Sequence, residues 1–161
     1  MRWAQAALVS LTALAGCGFH LQGVARLPPA FATTELAAGD RYTDFHGALA
    51  DLLAASGSHL VGAGAEGAAV VEVLTDDSGQ HVLSVSASNT PTEYEVYYTV
   101  RYRVRIGGRE VLPPQQLTLT QGYSFNPTAL LAKEHEQEII RAGLARELAL
   151  LVMRRLAALS P

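Results

Sequence analysis

The run Thr92-Glu93-Tyr94-Glu95-Val96-Tyr97-Tyr98-Thr99-Val100-Arg101-Tyr102-Arg103-Val104-Arg105-Ile106 alternates between two kinds of side chain. Tyr94, Val96, Tyr98, Val100, Tyr102, Val104 and Ile106 take every second position; Glu95, Tyr97, Thr99, Arg101, Arg103 and Arg105 take the others. Successive side chains of a strand point to opposite faces, so this pattern gives one apolar face and one polar face. A strand of that kind suits an antiparallel sheet covered on one side only.

The neighbours on either side agree. Gly107-Gly108 is a hairpin turn of the preferred glycine type, and Val111 to Tyr123 returns with Leu117 and Leu119 on one face. Pro113-Pro114 restricts pairing at the start of that return. Upstream, Ala68 to Leu74 is valine-rich and extended, Asp76-Asp77-Ser78-Gly79 reads as a turn or bulge, and Val82 and Val85 continue the strand. Asn89-Thr90-Pro91 is a second turn, and Phe31 to Leu36 a short first strand.

Two helices flank these strands. Phe45, Leu49, Leu52 and Leu53 recur at helical spacing within Tyr42 to Ala55, closed by Gly57. Asn126-Pro127 opens the second, whose apolar stripe runs through Ile140, Leu144, Leu148, Leu151, Val152, Leu156 and Leu159. The order predicts an α+β domain: two helices packed on one face of a small, mostly antiparallel sheet of about four strands.

With 161 residues and a formal charge of −3, the chain has the size of one domain and lacks the basic excess of a nucleic-acid binder. Contact with anionic lipid would need a local cluster of positive charge. Cys17 is the only cysteine, so no disulfide can form within the chain. It ends Leu14-Ala15-Gly16-Cys17, after Arg2 and an apolar stretch from Ala4 to Ala15. That stretch is shorter than the ~20 residues that cross a bilayer. The arrangement has the form of a bacterial lipoprotein signal. The expected organisation is a signal peptide over 1–16, a lipidated tether over 17–29 and a single α+β domain over 30–161. Cys17 is the expected lipid attachment point, holding the chain to the inner leaflet of the outer membrane. Gly18 stands where aspartate would retain a typical Gram-negative lipoprotein, which this signal resembles, at the inner membrane.

Catalytic patterns fail on context. Gly62-Ala63-Gly64-Ala65-Glu66-Gly67 has the spacing of a dinucleotide fingerprint, but it leads into a strand where the fingerprint needs a helix. His135-Glu136 begins like a zinc helix, yet Ile139 occupies the position of the second histidine. No nucleophile elbow and no pair of carboxylates in contrasting environments is present. The expectation is no enzyme, no cofactor and no metal.

Two cationic features stand out. Lys133 is the only lysine, among Glu134, Glu136 and Glu138; it either pairs with Glu136 at i+3 or meets an external anion. Arg101, Arg103 and Arg105 share one strand face and either pair across the sheet, with Glu110 for instance, or contact phosphate or an acidic partner.

Taken together, several segments resemble the LptE family of LPS-assembly lipoproteins. They are the lipobox with Cys17-Gly18-Phe19-His20-Leu21, the strand from Thr92-Glu93-Tyr94 through Val96, Thr99 and Val100, and Ser124-Phe125-Asn126-Pro127. Ala129-Leu130-Leu131-Ala132-Lys133-Glu134-His135-Glu136-Gln137-Glu138, before the striped helix, carries the likeness furthest. The resemblance implies an outer-membrane, periplasm-facing lipoprotein that plugs the LptD β-barrel, helps it assemble and binds lipopolysaccharide in transit. On that likeness Lys133 is the leading lipopolysaccharide-binding candidate, with Arg101, Arg103 and Arg105 as further candidates. The turn Ser86-Ala87-Ser88-Asn89-Thr90-Pro91 departs from relatives that carry an arginine there. An auxiliary lipoprotein of another envelope lipid-transport complex would share the anchor and fold without binding LptD.

Overall fold

The computed structural model describes residues 26–126, 128 and 130–159. The signal peptide, Cys17 and most of the tether lie outside them. A 3-10 turn at Pro29–Phe31 leads into β1 (Thr33–Ala38), followed by α1 (Asp44–Ala55), β2 (His59–Val61), β3 (Ala69–Val85), β4 (Pro91–Ile106), β5 (Arg109–Ser124) and α2 (Leu130–Ala157). The sheet runs β2-β1-β3-β4-β5. β3, β4 and β5 form an antiparallel meander, and β1 lies parallel to both β2 and β3. Both helices cover one face.

The period-two strand sits at the centre of that meander. Val96, Tyr98, Val100, Tyr102 and Val104 are buried against the helices, while the alternate residues form the open face. The helices complete the core with Phe45, Leu49 and Leu53 from α1 and Leu148, Val152, Met153 and Leu156 from α2. Full burial of one such side chain contributes about 1.5–3 kcal/mol.

Local chemistry sets the ends of α1. The Thr43 hydroxyl accepts the His46 N–H at 3.1 Å, capping the first turn. At the other end Gly57 adopts φ +89°, the left-handed closure that favours glycine. Ser58, buried just beyond, donates to the Phe31 carbonyl at 2.7 Å, so the turn before β1 is tied to the end of α1.

Two details refine the sequence reading. β2 is a fifth strand that begins just before the glycine-rich connection; three residues are too few to show a period. Asp76 to Gly79 is no turn: β3 runs straight through, and the bulge falls at Leu74, between Val73 and Thr75. One extra residue inverts the alternation. Val71 and Val73 face the helices before it, and Asp76, paired with buried Val100, faces them after it.

With 17 and 16 residues, β3 and β4 extend for about 50 Å, well past the packed part of the helices. α2 overhangs too. Among the described residues its buried side chains begin at Ile140, and Leu131 in its first turn is 82% exposed.

Candidate functional site

The overhanging parts of the hairpin and of α2 enclose the most distinctive cluster. β4 contributes Tyr94 and the end of β5 Tyr123, directly paired in the ladder; Phe125 follows. The tyrosine rings stack with centroids 5.9 Å apart, and Phe125 meets Tyr94 edge-on at 5.1 Å. The Tyr123 hydroxyl donates to Gln80 Oε1 on β3 at 2.8 Å, and burial pushes its pKa up. From α2, the ammonium of Lys133 stands 6.0 Å from the Tyr123 ring centroid.

Lys133 also takes the pairing that its helical spacing allowed. Its Nζ donates to Glu136 Oε2 at 2.6 Å, and its side chain is only 18% exposed. The stem lies along the aromatic cluster while the charge is shared between a carboxylate and a ring face.

Beyond this cluster the β3–β4 hairpin ends in a tip without charge. No Asp, Glu, Lys or Arg occurs from Val82 to Thr92, and Val82, Leu83 and Val85 are about half exposed. Asn89 turns the tip at φ +59°, supported by the Ser86 N–H donating to the Thr90 carbonyl at 2.8 Å.

The arginine row lies elsewhere. Arg103 grips Glu72 of β3 with two bonds, Nε at 2.9 Å and Nη2 at 3.0 Å, and Arg105 adds a contact at 3.3 Å. The Arg103 guanidinium holds the Glu72 carboxyl below its ordinary value. Glu110, the cross-strand partner that the hairpin suggested, stands farther off at 3.9 Å from Arg103. Arg101 is exposed and forms no ion pair among the described residues.

The four sequence-derived candidates therefore do not converge. Lys133 is on the helix-covered side near the far end of the sheet. The arginines are on the open face, toward the Ala69–Ile106 end. Sequence reading missed the aromatic trio and the role of Glu72. Tyr94 was visible as a face residue, but its partner Tyr123 needed the β4–β5 register.

Chemically, the far cluster pairs an exchangeable cation with an aromatic platform and an apolar tip, which suits an amphiphile. Among the described residues no group of three or more His, Cys, Asp or Glu could hold a metal ion, and no helix is long and apolar enough to cross a membrane.

A family profile described as LptE, lipopolysaccharide-assembly, matches residues 31–156, from the turn before β1 through most of α2. The chain belongs to the LptE family. It is 29% identical over 143 residues to the LPS-assembly lipoprotein LptE of Pectobacterium atrosepticum, covering 88% of this chain and 77% of that one. The LptE of Yersinia enterocolitica is 26% identical, with 88% and 69% covered.

Two solved structures share this fold. An uncharacterized lipoprotein B from Nitrosomonas europaea superposes with a TM-score of 0.72 at 22% identity, covering 88% of this chain and 91% of that chain. The rare lipoprotein B from Shewanella oneidensis gives 0.69 at 24% identity, covering 78% and 94%. The α+β expectation and the family resemblance both hold.

Proposed function

We propose that this LptE-family chain is an outer-membrane lipoprotein, anchored through acylated Cys17 and facing the periplasm. In this reading it plugs the LptD β-barrel, assists that barrel's assembly and engages lipopolysaccharide on its way to the cell surface. The family match across 31–156 carries the proposal. The geometry supports it: a plug needs a rigid core with a projecting element, and the charge-free hairpin tip beside Lys133 is such an element.

The chemistry at Lys133 is an exchange of anions. An ammonium is a compact point charge with three donors, suited to phosphate. Here it would leave Glu136 for a phosphate of the lipid while the acyl part meets Val82, Leu83 and Val85. Lys133 leads on the family resemblance; among the strand arginines, Arg103 and Arg105 share Glu72, and Arg101, exposed and without an ion pair among the described residues, is the freest of the three.

The test uses the purified lipidated protein. A large outer-membrane barrel should co-purify with it, and its absence would overturn the plug reading. Lys133→Glu should weaken lipopolysaccharide binding several-fold with melting temperature and barrel association unchanged. Unaltered binding would remove Lys133 from the site.

A further inference from the structure

Lys133 is the only lysine of the chain, and Glu136 already occupies it, with Oε2 2.6 Å from the ammonium. Residues three apart share one face of α2, so the carboxylate is always within reach and cannot be diluted away. Glu136 also bears on the aromatic cluster. Burial first, then the charges of Tyr94 and Glu136, raises the Tyr123 pKa, and Tyr123 presents its ring to the same ammonium. The side chain of Lys133 is 18% exposed and that of Glu136 44%. The cation is held along its stem, and the carboxylate is the partner with room to leave.

Neighbouring charges do not duplicate this contact. Arg141, two turns on, is held by Asp44 at 2.8 Å, and Glu138 lies 3.9 Å from both Arg141 and His135. Glu134, next to Lys133 in the chain, is exposed and forms no ion pair among the described residues.

We propose that Glu136 is an internal competitor for the anion site at Lys133, a stand-in for the ligand phosphate that keeps weak anions out. This rests on the reading of Lys133 as a phosphate contact. The site is competent only while Glu136 is away, so the pair lowers the affinity of every anion by one factor. The ratio between two ligands stays the same; what changes is which of them occupies the site at a given concentration. A phosphomonoester carries about −1.5 to −2 at neutral pH and three strong acceptor oxygens. A carboxylate or a phosphodiester headgroup carries a single negative charge. The doubly charged group displaces Glu136, whereas a singly charged one only equals it in charge and lacks its proximity. The occupant this admits is an amphiphile with a phosphomonoester, its acyl chains against the apolar hairpin tip, in the presence of phosphodiester lipids.

The experiment titrates the lipidated protein with purified lipopolysaccharide, intact or enzymatically dephosphorylated. Glu136→Gln should tighten binding of the intact ligand about two- to fivefold, the range set by opening a part-exposed ion pair. Glu134→Gln removes the same charge beside Lys133 without opening it and should give less than half that gain. In a Lys133→Met background Glu136→Gln should change nothing, and with dephosphorylated ligand its gain should disappear. No gain from Glu136→Gln in a protein that melts with the parent would overturn the proposal. So would an equal gain from Glu134→Gln, or a gain that survives Lys133→Met or loss of the phosphates. Lys133→Met alone separates the two readings. If it weakens binding while Glu136→Gln has no effect, only the competitor falls; if it leaves binding unchanged, the phosphate contact falls and the competitor with it.

Discussion

The Tyr98 hydroxyl donates to Asp76 Oδ1 at 2.8 Å and accepts the Phe45 backbone N–H at 3.2 Å. Thr43, the cap of α1, donates to the other oxygen of the same carboxylate at 2.5 Å. One strand carboxylate thus fixes the start of α1 above the sheet, and burial followed by the Asp76 bond raises the Tyr98 pKa. Tyr98→Phe leaves a buried N–H without its acceptor and Asp76 with one donor fewer. The expected loss is about 1–3 kcal/mol, a fall of several degrees in the thermal melt followed by circular dichroism. A variant melting with the wild type would show that the clamp contributes nothing.

Glu72 gives the protein an acid-sensitive element. Its pKa is lowered in the folded state, chiefly by the hydrogen-bonded Arg103, and less so by the charge of Arg105. A carboxylate of depressed pKa contributes stability above its unfolded value of about 4.5, lost as pH falls through the folded value. Glu72→Gln should therefore lower the urea midpoint at pH 7 and leave a shallower decline below pH about 4.5. Parallel pH profiles for the two proteins would contradict this.

Those two clusters also mark how far the residues alone could be read. The period of β4 and the stripe of α2 were legible because each repeats over many residues and each face is buried as its period requires. The Lys133–Glu136 pair was legible because helix geometry fixes i+3 neighbours. Glu72 was not, since it lies 31 residues from Arg103 and their meeting depends on the β3–β4 register. That register shifts at Leu74, and nothing in Val73-Leu74-Thr75 announces an extra residue. The same bulge turns Asp76 toward the helices, so a segment whose residue types suggest a turn or bulge supplies a clamp.

Gly79 supports a second contact of the open face. The Tyr97 ring lies over it, so that a Cβ at residue 79 would stand 2.6 Å from the Tyr97 hydroxyl and 2.8 Å from its ring carbon Cζ. Gly79→Ala must swing the ring aside, with loss of its stacking toward His81, whose centroid is 6.1 Å away. The expected cost is about 1 kcal/mol, the low end for overpacking because the ring can move. In a Tyr97→Ser background the same substitution should change sign, since alanine loses less conformational entropy than glycine by about 0.5–1 kcal/mol. Denaturant titration of the four proteins decides it: without a reversal of sign, the ring is not what requires glycine.

The overhang of α2 makes its two ends respond differently to one substitution. Leu148 is fully buried between α1 and the sheet, and Leu131 is 82% exposed. Leu148→Ala should destabilise by about 2–5 kcal/mol, through lost apolar transfer and the cavity left behind. Leu131→Ala should fall within about 0.5 kcal/mol of the parent, as surface changes do. If the first turns of α2 serve a partner and not the core, Leu131→Ala should still reduce barrel co-purification or lipopolysaccharide binding, while Leu148→Ala should act on both only by lowering the folded fraction. A Leu131→Ala protein that melts several degrees lower would place those turns in the core and remove them from the interaction surface.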